Sequence, residues 1–130
     1  MTEPQTITEF IEERLAEDEA AAREAIEERR RVSQDGERPD YYLMAWPDTG
    51  RPAVLVGGER VLREAEAKRA ILDEHGPQIT VQNVLGEPET LSCGACGNWD
   101  EYPVAYPCPT LLALAAIHSD HQDYQEEWRP

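Results

Sequence analysis

The stretch LSCGACGNW, from Leu91 to Trp99, holds two of the three cysteines in the chain. Cys93 and Cys96 are three residues apart and each is followed by glycine, a spacing that lets two thiolates bind one metal ion. Cys108 follows twelve residues after Cys96 and directly precedes Pro109, a residue that favours a helix start. The dipole of that helix would favour the Cys108 thiolate. The pattern predicts a zinc knuckle with Cys108 as the third ligand.

A structural zinc site usually has four protein ligands, so a fourth must come from elsewhere. A second C-x-x-C is absent, because the position three after Cys108 is Leu111. We predict His75, which stands at the end of a predicted helix shortly before the knuckle. His118 lies ten residues after Cys108, about 15 Å along a straight helix, and His121 is farther still. These two histidines, a carboxylate and water remain the alternatives.

Other interpretations of the cysteines are a redox pair and free thiols. A redox C-x-x-C usually lies at a strand-to-helix junction, and Gly94 and Gly97 argue against that setting. A nucleotide deaminase would show H-x-E and a proline before the first cysteine, but the chain lacks H-x-E and has Ser92 there. Three thiolates and one imidazole are typical of a closed site, so we expect the zinc to be structural and predict no catalytic residue.

The charge of the chain restricts its partners. Twelve basic and 27 acidic residues give a formal charge of −15 over 130 residues. Neither lysine nor arginine occurs between Arg69 and Arg129, the interval that contains all three cysteines. Such a surface repels polyanions, so we expect no direct binding to nucleic acid or to anionic membranes. A protein with a basic surface is the expected partner.

The sequence indicates a cytoplasmic location. Its first residues, MTEPQTITEF, lack the basic start and apolar run of a signal peptide. No apolar stretch approaches the length of a membrane span. An odd number of cysteines does not suggest a secreted disulfide framework.

Hydrophobic periodicity and helix-end signals predict helices and short strands. Thr6 and Glu9 match a capping box that opens a long helix. Gly76 and Pro77 end a second helix, and Pro109 opens a third, whose run TLLALAAI we expect at the centre of the core. The predicted elements are a helix over 6–32, strands over 41–46 and 52–57 joined by a turn after the loop 33–40, a helix over 59–75, a strand over 78–85 and a helix from residue 109.

These elements predict an α+β fold with a long N-terminal helix, short hairpin strands, two further helices and a zinc knuckle similar to zinc-ribbon and treble-clef modules. We expect a long acidic amphipathic helix over 1–32 and a small α+β domain with the knuckle over 33–130, together forming a single folded unit. The first helix has a thin apolar stripe. This stripe suits docking on its own domain or pairing with a second copy, which would give a homo-oligomer.

The C-terminal segment is polar but has two aromatic anchors. Tyr124 and Trp128 are four residues apart, so they would share a helical face and fasten the segment. The side chains that resemble a metal or acid–base cluster are His118, Asp120, His121 and Asp123. A polar turn after a helix is the simpler interpretation of that group.

Three stretches together resemble a known group of proteins: RVLREAEAKRAILDEH (60–75), YPCPTLLALA (106–115) and DHQDYQEEWRP (120–130). They are similar to an uncharacterised family of small proteins from actinomycete-type bacteria and their phages, labelled a domain of unknown function. His121, Tyr124 and Trp128 match the family's usual ending D-H-x-x-Y-x-x-x-W-R-P. The resemblance implies a bacterial or phage setting and brings no activity.

Three functions remain open from the sequence. The first is a small acidic intracellular zinc-binding accessory protein that acts by protein–protein interaction and is phage-encoded or phage-derived. The second is a nucleic-acid-binding module similar to a zinc ribbon. The interval without lysine or arginine between Arg69 and Arg129 disfavours it, because it offers no positive side chain for phosphate contacts. The third is a small zinc-dependent hydrolase using His118 or His121, which requires an open coordination position.

Overall fold

The computed structural model describes residues 3–32, 41–45, 52–80, 90–98 and 102–130. Within these ranges the chain forms an α+β structure, as predicted. The helices are α1 (Ile7–Val32), α2 (Gly58–Glu74) and α3 (Pro109–Ala116), and a 3₁₀ turn follows α3 at Glu126–Trp128. The strands are β1 (Tyr41–Ala45), β2 (Pro52–Val56), β3 (Pro77–Thr80), β4 (Thr90–Asn98) and β5 (Tyr102–Ala105). The predicted loop over 33–40, the turn after residue 46 and the second half of the predicted strand over 78–85 lie outside the described residues.

The strands form two antiparallel sheets. β1 and β2 pair as a hairpin with Tyr41 opposite Val56. The second sheet has the order β3-β4-β5, and Ile79 of β3 lies opposite Leu91 of β4. The pairing of β4 with β5 is irregular between Ser92 and Gly97. Both cysteines of the knuckle lie inside this irregular stretch.

Contacts divide the chain into two units. Unit 1 comprises Met1–Arg14 and Lys68–Pro130, and unit 2 comprises Leu15–Ala67. The division falls inside α1 and inside α2, so each unit receives part of both helices. The separate helix over 1–32 and domain over 33–130 stay a prediction.

In unit 2, small residues let α1 and α2 approach closely. A Cβ atom on Gly58 would lie 2.5 Å from the carbonyl oxygen of Ala22 and 2.6 Å from Cγ1 of Ile26. Real Cβ atoms do not make such contacts, so the approach requires glycine at the first position of α2. An ion pair joins Arg29 Nη1 to Glu59 Oε2 at 3.6 Å beside this crossing.

The start of α1 has the predicted capping box. The Thr6 backbone N–H donates to Glu9 Oε2 at 2.8 Å, and the Glu9 N–H donates to Thr6 Oγ1 at 3.2 Å. These bonds satisfy two of the backbone donors that a helix start leaves open. The hydrogen bond from the Thr6 backbone lowers the pKa of the Glu9 carboxyl.

The core of unit 1 is built around Phe10, which is fully buried. Its ring centroid lies 5.1 Å from that of Trp128 and 6.0 Å from that of Tyr124. The rings of His121 and His118 contact it at 5.8 and 6.4 Å. Trp128 is 5% exposed. The two side chains therefore anchor the C-terminal segment, as predicted. The prediction that they share a helical face is wrong, because the segment has only a 3₁₀ turn over Glu126–Trp128 and Tyr124 lies outside it.

The run TLLALAAI is less central than predicted. Leu111 and Ala115 of α3 are fully buried, but Ile117 just after the helix is 54% exposed. Leu111 and Ala115 are four residues apart and share one helix face. The short helix therefore buries a single stripe, although its sequence is apolar on every side.

Candidate metal centre

Three elements of unit 1 supply the four predicted ligands. His75 follows the last residue of α2, and its backbone N–H donates to the carbonyl oxygen of Ile71 at 3.1 Å. The helix thus ends one residue earlier than predicted. The N–H of Gly94 donates to the carbonyl oxygen of Gly76 at 3.0 Å, which ties the turn after α2 to the knuckle.

The knuckle brings Cys93 and Cys96 together through the irregular part of β4. Gly97 has φ +74°, a left-handed conformation that favours glycine. The backbone N–H of Ala95 donates to Cys93 Sγ at 3.5 Å. A backbone amide directed at sulfur stabilises a thiolate, as the glycine-rich spacing suggested.

Cys108 occupies the N-cap of α3, as predicted. It has φ −78° and ψ 166°, Pro109 follows at the first helical turn, and the Leu112 N–H donates to the Cys108 carbonyl oxygen at 3.1 Å. Cys108 is fully buried and Cys93 is 2% exposed, so two of the three sulfurs are shielded from water. The proline that starts the helix also places the thiol where the helix dipole favours negative charge.

The donor atoms of His75, Cys93, Cys96 and Cys108 all lie within 4.8 Å of one another. His75 Nδ1 is 3.4 Å from Cys93 Sγ and 3.5 Å from the sulfurs of Cys96 and Cys108. A tetrahedron with metal–sulfur bonds of about 2.3 Å and a metal–nitrogen bond of about 2.0 Å has a sulfur–nitrogen edge of about 3.5 Å. The spacing therefore fits one tetrahedral ion, and the group could hold a metal.

The thiol groups of Cys93 and Cys96 have pKa values shifted in opposite directions. Burial acts to raise the pKa of the Cys93 thiol. Hydrogen bonds from the backbone N–H groups of Ala95 and Cys96, together with those of the His75 and Cys108 side chains, outweigh it and lower that pKa to about 7. Contact with the Cys93 side chain raises the pKa of the Cys96 thiol to about 11. One thiolate therefore forms readily, and a second negative charge beside it is opposed. A divalent cation would reverse this opposition, because it favours every thiolate around it.

The other two histidines lie outside this group. The ring of His121 contacts the guanidinium of Arg14, whose Nη1 is 2.7 Å from His121 Nδ1. The Asp123 backbone N–H donates to the same ring nitrogen at 3.1 Å, so Nδ1 acts as an acceptor. His118 packs against Phe10. The structure therefore brings neither His118 nor His121 to the cysteine sulfurs, and the identity of the fourth ligand stays a prediction.

The sequence did not indicate that Arg14 is buried and contacts the core of unit 1. This side chain is only 5% exposed, and its guanidinium lies 5.2 Å from the centroid of the Phe10 ring. Its Nη2 also donates to Glu13 Oε2 at 3.3 Å. The available signal was its position four residues after Phe10, on the same helix face.

A family of unknown function (DUF6221) matches residues 4–130. The chain belongs to this family. The match includes all four residues of the candidate metal centre and the ending with His121, Tyr124 and Trp128. The predicted membership of an uncharacterised family is confirmed, whereas the bacterial or phage origin stays a prediction. No curated protein and no solved structure matches the chain.

No helix in the described part of the chain combines the length and the apolar character that a membrane span requires. The similarity to zinc-ribbon and treble-clef modules also stays a prediction.

Proposed function

We propose that this family member is a small acidic accessory protein that acts by binding another protein and whose unit 1 is held together by a structural zinc ion. The observation that carries the zinc proposal is the convergence of His75 with the three cysteine sulfurs at tetrahedral spacing. Thiolate and imidazole ligands suit zinc, whereas calcium and magnesium require oxygen ligands.

A structural role fits this ligand set better than a catalytic one. A catalytic zinc keeps one position for water, whereas four side chains fill a tetrahedron. The ligands come from the end of α2, from β4 and from the start of α3. Structural zinc binds with about 10–16 kcal/mol, which is comparable with the whole stability of a small domain, about 5–15 kcal/mol. One ion could therefore decide whether unit 1 folds.

The charge supports a basic protein as the partner. The formal charge is −15, and the interval between Arg69 and Arg129 contains neither lysine nor arginine. The exposed carboxylates of α1 include Glu9, Glu13, Glu24, Glu27 and Glu28. Attraction to a basic surface would accelerate association and weaken as salt is added. We propose a cytoplasmic setting and a bacterial or phage origin for this interaction.

Metal content tests the zinc proposal. Native mass spectrometry of the purified protein should show one zinc per chain. His75→Ala and Cys108→Ser should lose the ion or bind it weakly, while His118→Gln, a histidine outside the candidate centre, should keep it. Metal-free wild-type protein prepared under reducing conditions would refute the proposal and return the cysteines to free thiols.

Two assays distinguish the proposed function from a nucleic-acid-binding module and from a zinc hydrolase. A nucleic-acid-binding zinc module should retard duplex DNA or single-stranded RNA at 50 mM NaCl, and we expect no retardation. A zinc hydrolase would need an open coordination site near His118 or His121, whose rings instead contact Phe10. Loss of a measured hydrolytic activity in a His121→Ala variant with full zinc content would favour the enzyme.

A further inference from the structure

A groove in unit 1 lies beside the start of α1. It is open to solvent and offers about 430 Å³ of space, and its walls are residues 4–7, Tyr106, Pro107, Gln125, Glu127 and Trp128. We call it the N-terminal groove. Its volume falls within the range of about 300–1,000 Å³ that is typical of ligand sites in proteins.

The walls of the N-terminal groove are held in place by contacts behind them. The Gln125 side-chain amide donates to the Gln5 carbonyl oxygen at 2.8 Å. The hydroxyl groups of Tyr106 and Thr8 are hydrogen-bonded. Trp128 packs on Phe10 and is buried except for a small part of its surface. Because the walls are fixed before binding, an occupant would not have to order them.

The chemistry of the walls selects a particular kind of side chain. Most of the lining is apolar, from Pro4, Ile7, Tyr106, Pro107 and Trp128. Glu127 is the single charged residue of the lining, and its carboxylate is exposed. Among the described residues that line it, the N-terminal groove therefore combines apolar walls with one negative charge and no positive charge.

An arginine side chain matches both features. Its three methylene groups can lie along apolar walls while the guanidinium stays in a polar environment. The planar guanidinium stacks on aromatic rings and pairs with a carboxylate through two parallel hydrogen bonds. A lysine ammonium has neither the plane nor the paired donors.

We infer that the N-terminal groove docks an arginine side chain of a basic protein partner, with the stem between the apolar walls and the guanidinium on Glu127. This inference rests on the proposed function, because it assigns a site and a residue type to the basic partner. It makes the interaction more specific than a general attraction between opposite charges.

The test uses zinc-loaded full-length protein and fluorescein-labelled nona-arginine, followed by fluorescence anisotropy at 150 mM NaCl. At this salt the Debye length is about 8 Å, so distant charges contribute little. Glu127→Gln should weaken binding about threefold, in line with the loss of one exposed ion pair. The matched control Glu66→Gln removes an exposed carboxylate that does not line the groove, and it should change binding less than 1.5-fold, about the effect of a weak exposed pair.

Two further measurements locate and identify the occupant. In NMR spectra, nona-arginine should shift the signals of the Trp128 indole N–H and the Ile7 methyl groups. Nona-lysine carries the same charge and should bind at least about threefold more weakly, because it cannot stack or pair through two donors.

Each remaining outcome has a distinct meaning. Equal weakening by Glu127→Gln and Glu66→Gln, with unchanged groove signals, would overturn the groove assignment and leave a basic partner in place. Equal binding of the two peptides would overturn the assignment of arginine. Groove signals that shift with protein concentration alone would assign the groove to a second copy of the chain. If nona-arginine bound neither at 150 mM NaCl nor at 20 mM NaCl, both the assignment of arginine to the groove and the proposal of a basic partner would be overturned.

Discussion

Replacement of Gly97 by alanine should destabilise the protein through the knuckle. The left-handed conformation at φ +74° costs a residue with a Cβ about 1–2 kcal/mol. The added Cβ would also overlap the carbonyl oxygen of Tyr102 and lie 3.0 Å from Cγ2 of Val104. Overpacking of this kind costs about 1–3 kcal/mol. The two contributions together predict a loss of about 2–5 kcal/mol in the free energy of unfolding.

This loss can be measured by urea unfolding followed by circular dichroism. Zinc concentration must be the same for every variant, because an ion that binds only the folded state adds to its stability. In thermal unfolding, about 4 °C per kcal/mol for a chain of this size corresponds to a fall of about 8–20 °C in Tm.

Gly76→Ala is the matched control for this substitution. Its Cβ would meet only the Asp73 carbonyl oxygen, at 3.5 Å, and its φ lies outside the left-handed region. Alanine at such a position should leave stability unchanged or raise it by up to about 1 kcal/mol. Equal stability of Gly97→Ala and Gly76→Ala would refute the argument from backbone strain and crowding.

Four further predictions concern the core, the metal and the first helix. Phe10→Ala should cost about 3–5 kcal/mol in urea unfolding, whereas Ile117→Ala, at an exposed position, should cost less than about 1 kcal/mol. Zinc affinity, measured by competition with a chromogenic chelator, should fall steadily from pH 8 to pH 5, because protons compete with the metal for thiolates and imidazole; a pH-independent affinity would contradict thiolate ligation. Thr6→Ala should cost about 1 kcal/mol. The folded state lowers the pKa of Glu9, so the stabilisation by its carboxylate should be complete above the unfolded pKa and be lost as pH falls through the folded pKa. In thermal melts from pH 6 to pH 3, Glu9→Gln should therefore lose less stability with falling pH than the wild type does. Parallel stability profiles of the two proteins would contradict this prediction.

The four residues of the candidate metal centre could be predicted because local signals mark each of them. Gly76 and Pro77 place the end of a helix next to His75, and Pro109 makes Cys108 an N-cap residue. The C-x-x-C spacing brings its two sulfurs together without help from distant residues. What the spacing could not show is that Nδ1 of the imidazole faces the sulfurs, because this depends on how β4 lies against the end of α2.

The contacts of α1 were beyond sequence reasoning. Arg14 and His121 are 107 residues apart, and no local pattern connects them. Helical periodicity located an apolar stripe that includes Phe10, but it did not indicate what would cover that stripe. In the same way, the apolar character of α3 predicted burial without showing which face would find a partner, and Ile117 remains exposed. Patterns report the tendency of a residue to be buried, and tertiary packing decides the outcome.

The distance along the chain between Phe10 and its aromatic neighbours has a consequence for biosynthesis. At about 5–20 residues per second, a ribosome needs about 5–20 s to add the 107 residues that separate Arg14 from His121. Throughout that time the nascent helix displays Phe10 without the rings that later bury it. The four residues of the candidate metal centre are complete earlier, once Cys108 has been added. Burial of Phe10 therefore has to wait until Trp128, the aromatic neighbour farthest along the chain, has been synthesised.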